Sequence, residues 1–238
     1  MEQTKIISLI GDKCGELAYF LVKLLSTEGE PVLCNDISDD NELFDSLERL
    51  EGMKEVNIRN ITFVKNIEFN SEVTDMFRYT VVYHGRRPYG NWYEASDHRF
   101  VKITPEPYTN RLLSHDIKEL SHDNVTVFFT DRFTEKVKDE HLLEAAGFAY
   151  EEIEPLIDAM LELPFDLDDK AMRYNFLYNG IQKVSAASKE MKGFLEAMYN
   201  ISIIKEKEDE NAPKKSKKQK KEQKNKARKF SDILAQAK

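Results

Sequence analysis

Apolar residues recur along this chain in two alternating patterns, short runs of strand length and longer stretches with helical spacing. After a first run at 6–10, leucine and phenylalanine recur every three or four residues from Leu17 to Leu25, and a second run follows at 32–34. Strands are predicted at 6–10, 32–34, 56–59, 61–65 and 79–84, and in the segments RFVKIT, VTVFFTDR and MLELPFD. Further helices are predicted at 41–50, 72–77, 108–120, 139–146, 168–178 and 186–199.

Strands that alternate with helices indicate a parallel sheet, because the chain has to cross back over the sheet before it can start the next parallel strand. We therefore expect an α/β fold for residues 1–204, with a doubly wound, mainly parallel sheet, helices on both faces and the first strand central. Residues 205–238 are too rich in lysine and too poor in apolar residues to fold alone, which predicts a disordered basic tail.

The first strand enters a short loop at the position where many α/β proteins bind phosphate at a helix N-terminus. A working phosphate loop needs a lysine and then a serine or threonine directly after its second glycine, whereas Glu16 and Leu17 follow Gly15 here. Two carboxylates in the loop would repel a triphosphate and cap the helix themselves. The degenerate nucleotide loop consists of Gly11, Asp12, Lys13, Cys14, Gly15 and Glu16.

The order of these features resembles the ParA/MinD family of partition and positioning ATPases, from Lys5 to about Asn200. The family motif KGGVGKTTLA corresponds here to LIGDKCGELA, and the later segments ITPEPYTNRLL and LPFD are similar to its TTPDPYSLR and IPYD. The resemblance implies a P-loop NTPase-like fold in which four functional positions have changed. Leu9 and Cys14 replace the two lysines, His84 replaces the metal-binding aspartate, and Asp131 replaces the asparagine that reads adenine.

The resemblance therefore implies a pseudo-ATPase with no cofactor, which recruits or positions a larger assembly through protein contacts, with a homodimer as a further possibility. Partition, pilus or secretion, and conjugation machineries are the assemblies that such proteins serve. One alternative is an atypical Mg-ATP-dependent ATPase that uses Lys13 and Asp36. Another is a nucleic-acid or membrane adaptor that acts through the basic tail.

Two further positions have a structural and a functional interpretation. Asp36 matches a family aspartate that positions metal or water, but its partner two residues on is Ser38, so a role as a cap for the helix near Asn41 is favoured. His84 is interpreted as a locally hydrogen-bonded histidine, because the sequence offers no second ligand at metal-binding spacing. No metal site is predicted.

The densest basic and aromatic cluster predicts a protein interface, with an ordinary exposed loop as the alternative. It consists of Arg86, Arg87, Tyr89 and Trp92. A second candidate interface lies near the end of the tail, where Phe230, Ile233 and Leu234 are spaced as on one face of a helix that docks into a groove.

Composition and charge limit the cellular locations and the binding partners that the sequence predicts. Apolar residues make up 41% of the 238, and no apolar stretch is long enough to cross a membrane. Two cysteines and no secretory signal predict a cytoplasmic protein, which partners could recruit to the membrane or nucleoid. Residues 211–238 hold 11 basic and 2 acidic side chains, a net +9, which leaves 24 basic and 41 acidic, a net −17, for the rest. Any contact with nucleic acid or anionic lipid is therefore predicted for the tail.

Overall fold

A computed structural model gives the fold of most of the chain. It describes residues 4–47, 52–88, 90–117, 124–130, 137–149, 151, 153, 156, 159–180 and 183–203. Within these residues eight strands form one sheet. The strands are β1 (Lys5–Ile10), β2 (Val32–Asp36), β3 (Glu55–Ile58), β4 (Ile61–Lys65), β5 (Tyr79–Gly85), β6 (His98–Ile103), β7 (Val125–Thr130) and β8 (Leu161–Leu163).

The strands lie in the order β3-β4-β2-β5-β1-β6-β7-β8. Every neighbouring pair is parallel except β3 and β4, which run antiparallel at one edge. The central strand β1 pairs with β5 on one side and with β6 on the other. The prediction of a mainly parallel sheet with the first strand inside it is therefore confirmed.

Eight α-helices lie within the described residues, and short 3₁₀ turns cover Ser26–Glu28 and Val184–Ala186. The helices are α1 (Gly15–Leu25), α2 (Glu42–Leu47), α3 (Ser71–Thr74), α4 (Gly90–Glu94), α5 (Pro107–Ile117), α6 (Asp139–Ala145), α7 (Leu167–Asn179) and α8 (Lys189–Ile203). None of the helices in the described part of the chain combines the length and the apolarity that crossing a membrane requires.

The two faces of the sheet build separate cores, because alternate side chains of each strand point to opposite sides. Leu9 and Phe100 pack on the face covered by α1, α2, α7 and α8. Ile10 and Val101 pack on the other face, where α4, α5 and α6 supply the covering residues. Helices on both faces were predicted, and this layering confirms them.

The crossovers from neighbouring strands leave the sheet on opposite sides at β1. The chain turns from β1 into α1 on one face, whereas the adjacent β6 is followed by α5 on the other face. Open α/β sheets place their ligand sites at such a reversal, beyond the carboxyl ends of the strands. The loop after β1 therefore lies where the fold would bind a ligand.

Candidate functional site

The loop after β1 is held closed by hydrogen bonds to its own chain. The Gly11 N–H donates to the Gly85 carbonyl oxygen at 2.7 Å, which joins the ends of β1 and β5. The Cys14 N–H donates to the Tyr83 hydroxyl at 3.3 Å, and the Cys14 thiol donates to the Gly11 carbonyl oxygen at 3.2 Å. Burial raises the pKa of the Cys14 thiol, so it stays protonated.

Two basic side chains of the protein itself lie against this loop. The Lys102 ammonium donates to the Asp12 carbonyl oxygen at 3.0 Å, and the Arg86 Nε donates to the Asp12 carboxylate at 2.9 Å. Lys102 also packs tightly on Gly11, where a Cβ atom would lie 2.3 Å from the Lys102 Cβ. Lys13, the amine that the sequence offers within the loop, is exposed with a φ of 51°. The side of the loop that faces β6 is therefore filled.

A carboxylate from α2 lies at the start of α1. The Glu42 Oε1 would be 3.3 Å from a Cβ atom at Gly15, while the N-cap residue Cys14 makes no capping bond through its side chain. The prediction that Asp12 would cap this helix is wrong, because the Asp12 carboxylate turns outward to Arg86. Glu16 instead lies 3.6 Å from the Nε atom of Arg173 on α7. The anion-attracting end of α1 thus faces a carboxylate from the same chain.

Glu16, Glu42 and Arg173 form a buried charge cluster at the junction of α1, α2 and α7. The Arg173 guanidinium lies 3.6 Å from Glu16 and 4.0 Å from Glu42, and all three side chains are at most 16% exposed. Burial and the neighbouring Glu16 raise the pKa of Glu42 to about 7. Burial opposes the charge of Arg173, yet the two carboxylates raise its pKa overall. Sequence reasoning missed this cluster, since its members are far apart along the chain.

Asp36 has the capping role that the sequence predicted. One carboxylate oxygen accepts hydrogen bonds from the Ser38 N–H at 3.0 Å and the Ser38 hydroxyl at 2.6 Å. The other accepts from the Phe44 N–H at 2.9 Å, in the first turn of α2. Burial raises the pKa of Asp36, although these hydrogen bonds oppose the shift. Both oxygens are therefore engaged inside the protein.

His84 lies on the face of the sheet opposite α1 and does not meet the loop. Its Nε2 is 2.7 Å from the Ser8 hydroxyl, which in turn is 2.6 Å from the Ser96 hydroxyl. Burial and the nearby Arg99 lower the pKa of His84 to about 3, so the imidazole is neutral. Tyr83 is the β5 residue that reaches the loop, and strand alternation could have identified it, because it is the partner of Leu9.

The described residues of the predicted interface after β5 differ in exposure. Arg86 and Arg87 are exposed, and Tyr89 lies outside the described residues. Trp92 is only 4% exposed, and its Nε1 donates to the Ile67 carbonyl oxygen at 2.8 Å. Trp92 was wrongly placed at an interface, since its ring packs inside the fold. Asp131 and the tail residues Phe230, Ile233 and Leu234 also lie outside the described residues.

The groups around the loop do not fit Mg-ATP. The loop has no magnesium-binding hydroxyl, its one amine is that of the exposed Lys13, and carboxylates lie at the helix start. A cavity beside the loop, between Lys102 and α7, has a volume of about 40 Å³. Pockets that hold small ligands usually have volumes of about 300–1,000 Å³. Within the described residues no group of three histidine, cysteine or acidic side chains is placed to bind a metal.

The sheet order and the strand-loop-helix at its centre define a doubly wound α/β protein of the P-loop NTPase type. No family model matches the sequence, and no curated protein matches it. Solved structures do match, at low sequence identity. A ParA family ATPase from Chlorobium tepidum TLS superposes with a TM-score of 0.55 at 14% identity, covering 84% of this chain and 99% of its own.

Two further structures have the same arrangement. A putative plasmid partition protein from Borrelia burgdorferi B31, bound to AMPPNP, has a TM-score of 0.55 at 14% identity and covers 84% of this chain and 98% of its own. The MinC:MinD cell division protein complex of Aquifex aeolicus contains a chain with a TM-score of 0.51 at 14% identity, which covers 84% of this chain and 94% of its own. The chain therefore has the ParA/MinD fold, as the sequence motifs predicted.

Proposed function

We propose that this protein is a non-catalytic member of the ParA/MinD fold that acts by binding other proteins. The observation that carries the proposal is the filled loop, where Lys102 bonds to the Asp12 carbonyl oxygen and packs on Gly11. A nucleotide at this place would have to displace that ammonium and approach the carboxylate of Glu42. Desolvating a phosphate beside carboxylates is unfavourable, which supports a pseudo-ATPase that needs no cofactor.

The role in positioning is inferred from the neighbouring structures. They include a plasmid partition protein and a MinD that was solved together with its protein partner MinC. A protein that keeps this scaffold without its nucleotide chemistry would recruit or localise an assembly of the partition, pilus or secretion, or conjugation type. It would work in the cytoplasm, with its partners bringing it to the membrane or the nucleoid.

Mg-AMPPNP binding tests the proposal, with isothermal calorimetry and thermal unfolding as independent readouts. A nucleotide at 100 times its Kd stabilises a protein by about 2.7 kcal/mol. In a domain of this size that free energy raises Tm by about 5–10 °C. We expect no binding heat and a Tm change below about 1 °C at 5 mM nucleotide.

Two lysine variants make a positive result interpretable. Lys13→Ala removes the exposed amine of the loop, and Lys102→Ala removes the buried ammonium beside it. Saturable binding to the wild type that either substitution abolishes would overturn the proposal and favour the atypical ATPase. Weak heat that both variants retain would indicate binding elsewhere on the protein and would leave the loop without a nucleotide role.

A further inference from the structure

The outer face of α7 carries a row of exposed apolar side chains. Leu167, Tyr174 and Tyr178 are 73%, 58% and 85% exposed, and Ala171 between them is exposed as well. Their spacing of four, three and four residues places them along one side of the helix. We call these four residues the outer stripe.

The opposite side of α7 is already buried in the core. Met172 and Phe176 pack under the helix, and the Phe176 ring lies 5.0 Å from the ring of Tyr19. The described residues expose eight large apolar side chains, and four of them fall within 165–178. Single exposed apolar residues are normal on a monomer, whereas a contiguous row marks a contact surface. A helix with apolar residues on both sides is expected to be covered on both.

We propose that the outer stripe is the docking site for this protein's own C-terminal segment, residues 229–238. In this segment Phe230, Ile233, Leu234 and Ala237 recur at i, i+3, i+4 and i+7. This spacing forms one apolar face if the segment becomes helical, and two such faces pack together by burying both. The segment would fold on α7 as it binds.

Charge complementarity favours this partner over an unrelated one. The chain up to residue 210 has a net charge of −17, and residues 211–238 have a net charge of +9. The stripe begins beside Asp166 and Asp168, and Arg228 and Lys229 directly precede the first apolar residue of the segment. Pairing these ends would place the segment parallel to α7. The attraction between exposed charges also makes the docking sensitive to salt.

The connecting chain is long enough for docking within one molecule. The Ser188 N–H, next to the start of α8, donates to the Asp169 carboxylate on α7 at 2.9 Å. Helix α8 has 15 residues, so it ends about 22 Å further on, at Ile203. The 25 residues from 204 to 228 span about 25–30 Å as a flexible chain. Such a tether gives an effective concentration in the millimolar range, which populates even a weak contact.

Disulfide trapping in the full-length protein tests the proposal. Cys14 and Cys34 are buried, so newly introduced cysteines react selectively. In the parallel alignment Tyr174 and Ala237 each lie seven residues after the start of their apolar face. We expect Tyr174→Cys with Ala237→Cys to form an intramolecular disulfide at least ten times faster than the matched pair Tyr108→Cys with Ala237→Cys. Tyr108 is 71% exposed on α5, which packs on the opposite face of the sheet. The Tyr174 pair should react several times more slowly in 1 M salt.

Substitutions within the segment separate docking from random encounter. Adding Leu234→Asp to the Tyr174 and Ala237 cysteine pair should remove most of the rate advantage, because it places a charge on the apolar face. Ser231→Asp, on the polar side, should leave it unchanged. Equal rates for the two cysteine pairs would overturn the proposal. Disulfides that join two chains, in the pair or in Tyr174→Cys alone, would also overturn it and assign the stripe to a second copy. Neither result bears on nucleotide binding, so the proposed function stands or falls separately.

Discussion

The loop after β1 and the outer stripe of α7 lie on the same face of the sheet, and their side chains are engaged in different ways. At the loop, Lys102, Arg86 and Glu42 all bind backbone or side-chain groups of the same chain. On the stripe, apolar side chains that could bury surface are exposed to solvent. The loop after β1 is therefore filled by groups of the chain itself, and the outer stripe presents a surface suited to a polypeptide.

Under the proposed function, this difference would explain how nucleotide binding is lost while the fold is kept. Gly11 still permits the tight turn after β1, and α1 still begins at the expected residue. Charged side chains from β6, α2 and α7 lie around the loop. Glu16, Glu42 and Arg173 connect α1, α2 and α7 on one face of the sheet.

The largest expected effect is the difference in stability between substitutions on the two sides of α7. Phe176→Ala removes a fully buried ring that contacts Tyr19, and we expect it to destabilise the protein by about 3–5 kcal/mol. Tyr178→Ala, two residues away on the outer stripe, should change stability by less than about 1 kcal/mol. Urea unfolding, followed by circular dichroism, measures both. Similar losses for the two variants would mean that Tyr178 packs inside the domain and does not lie on its outer surface.

A smaller effect is expected for the packing of the loop. Gly11→Ala adds a Cβ atom 2.3 Å from the Lys102 Cβ at a φ of 153°, which should destabilise the protein by about 2–4 kcal/mol. Gly193→Ala is the matched control. It adds the same methyl group in α8, where nothing lies within 4 Å, and should stabilise by about 0.5–1 kcal/mol. A tolerated Gly11→Ala, with unchanged urea midpoint, would show that Lys102 does not hold the loop.

Sequence patterns predicted most of the fold, because strand and helix periodicities are local. The strand at 61–65 and the capping role of Asp36 depend on neighbours within about ten residues, and both are present. The occupants of the loop could not be predicted, since Lys102 and Arg173 reach it from elements 90 and more residues away. Nothing in the sequence marks Lys102 or Arg173 as a neighbour of the loop, because lysine and arginine side chains usually face solvent.

The sequence analysis interpreted His84 as a locally hydrogen-bonded histidine, which its contact with Ser8 confirms, and the strand register explains this position. The comparison of motifs placed His84 at the metal position, but the pairing of β1 with β5 shifts from Leu9–Tyr83 to Ile10–Gly85. His84 falls in this irregularity, and its side chain points to the face opposite the loop, where Ser8 binds it. Motif alignment counts residues along one strand, so it does not detect a bulge that changes the pairing between two strands.

The smallest expected effect concerns the pH dependence of the buried charge cluster. The pKa of Glu42 is about 7 in the folded chain, against an ordinary value of 4.5. The folded state therefore binds this proton more tightly than the unfolded state does. The resulting stabilisation is complete below pH 4.5 and is lost as the pH rises towards 7. Glu42→Gln removes this titration. We expect the free energy of unfolding of the variant to gain about 1–3 kcal/mol relative to wild type between pH 4.5 and 7.5.

Asp45→Asn on the same short helix is the control for this pH dependence. Asp45 is exposed and pairs with Lys65 at 3.0 Å on the surface, so its loss should leave the pH profile close to that of wild type. Urea unfolding at half-unit steps of pH gives the three profiles. If the pH profiles of Glu42→Gln and wild type ran parallel, the Glu42 carboxylate would be ionised in the folded protein over the whole range from pH 4.5 to 7.5. Arg173 would then neutralise the two carboxylates more fully than its distances of 3.6 and 4.0 Å indicate. A profile that converges with wild type at low pH and separates from it near pH 7 would assign the raised pKa to Glu42.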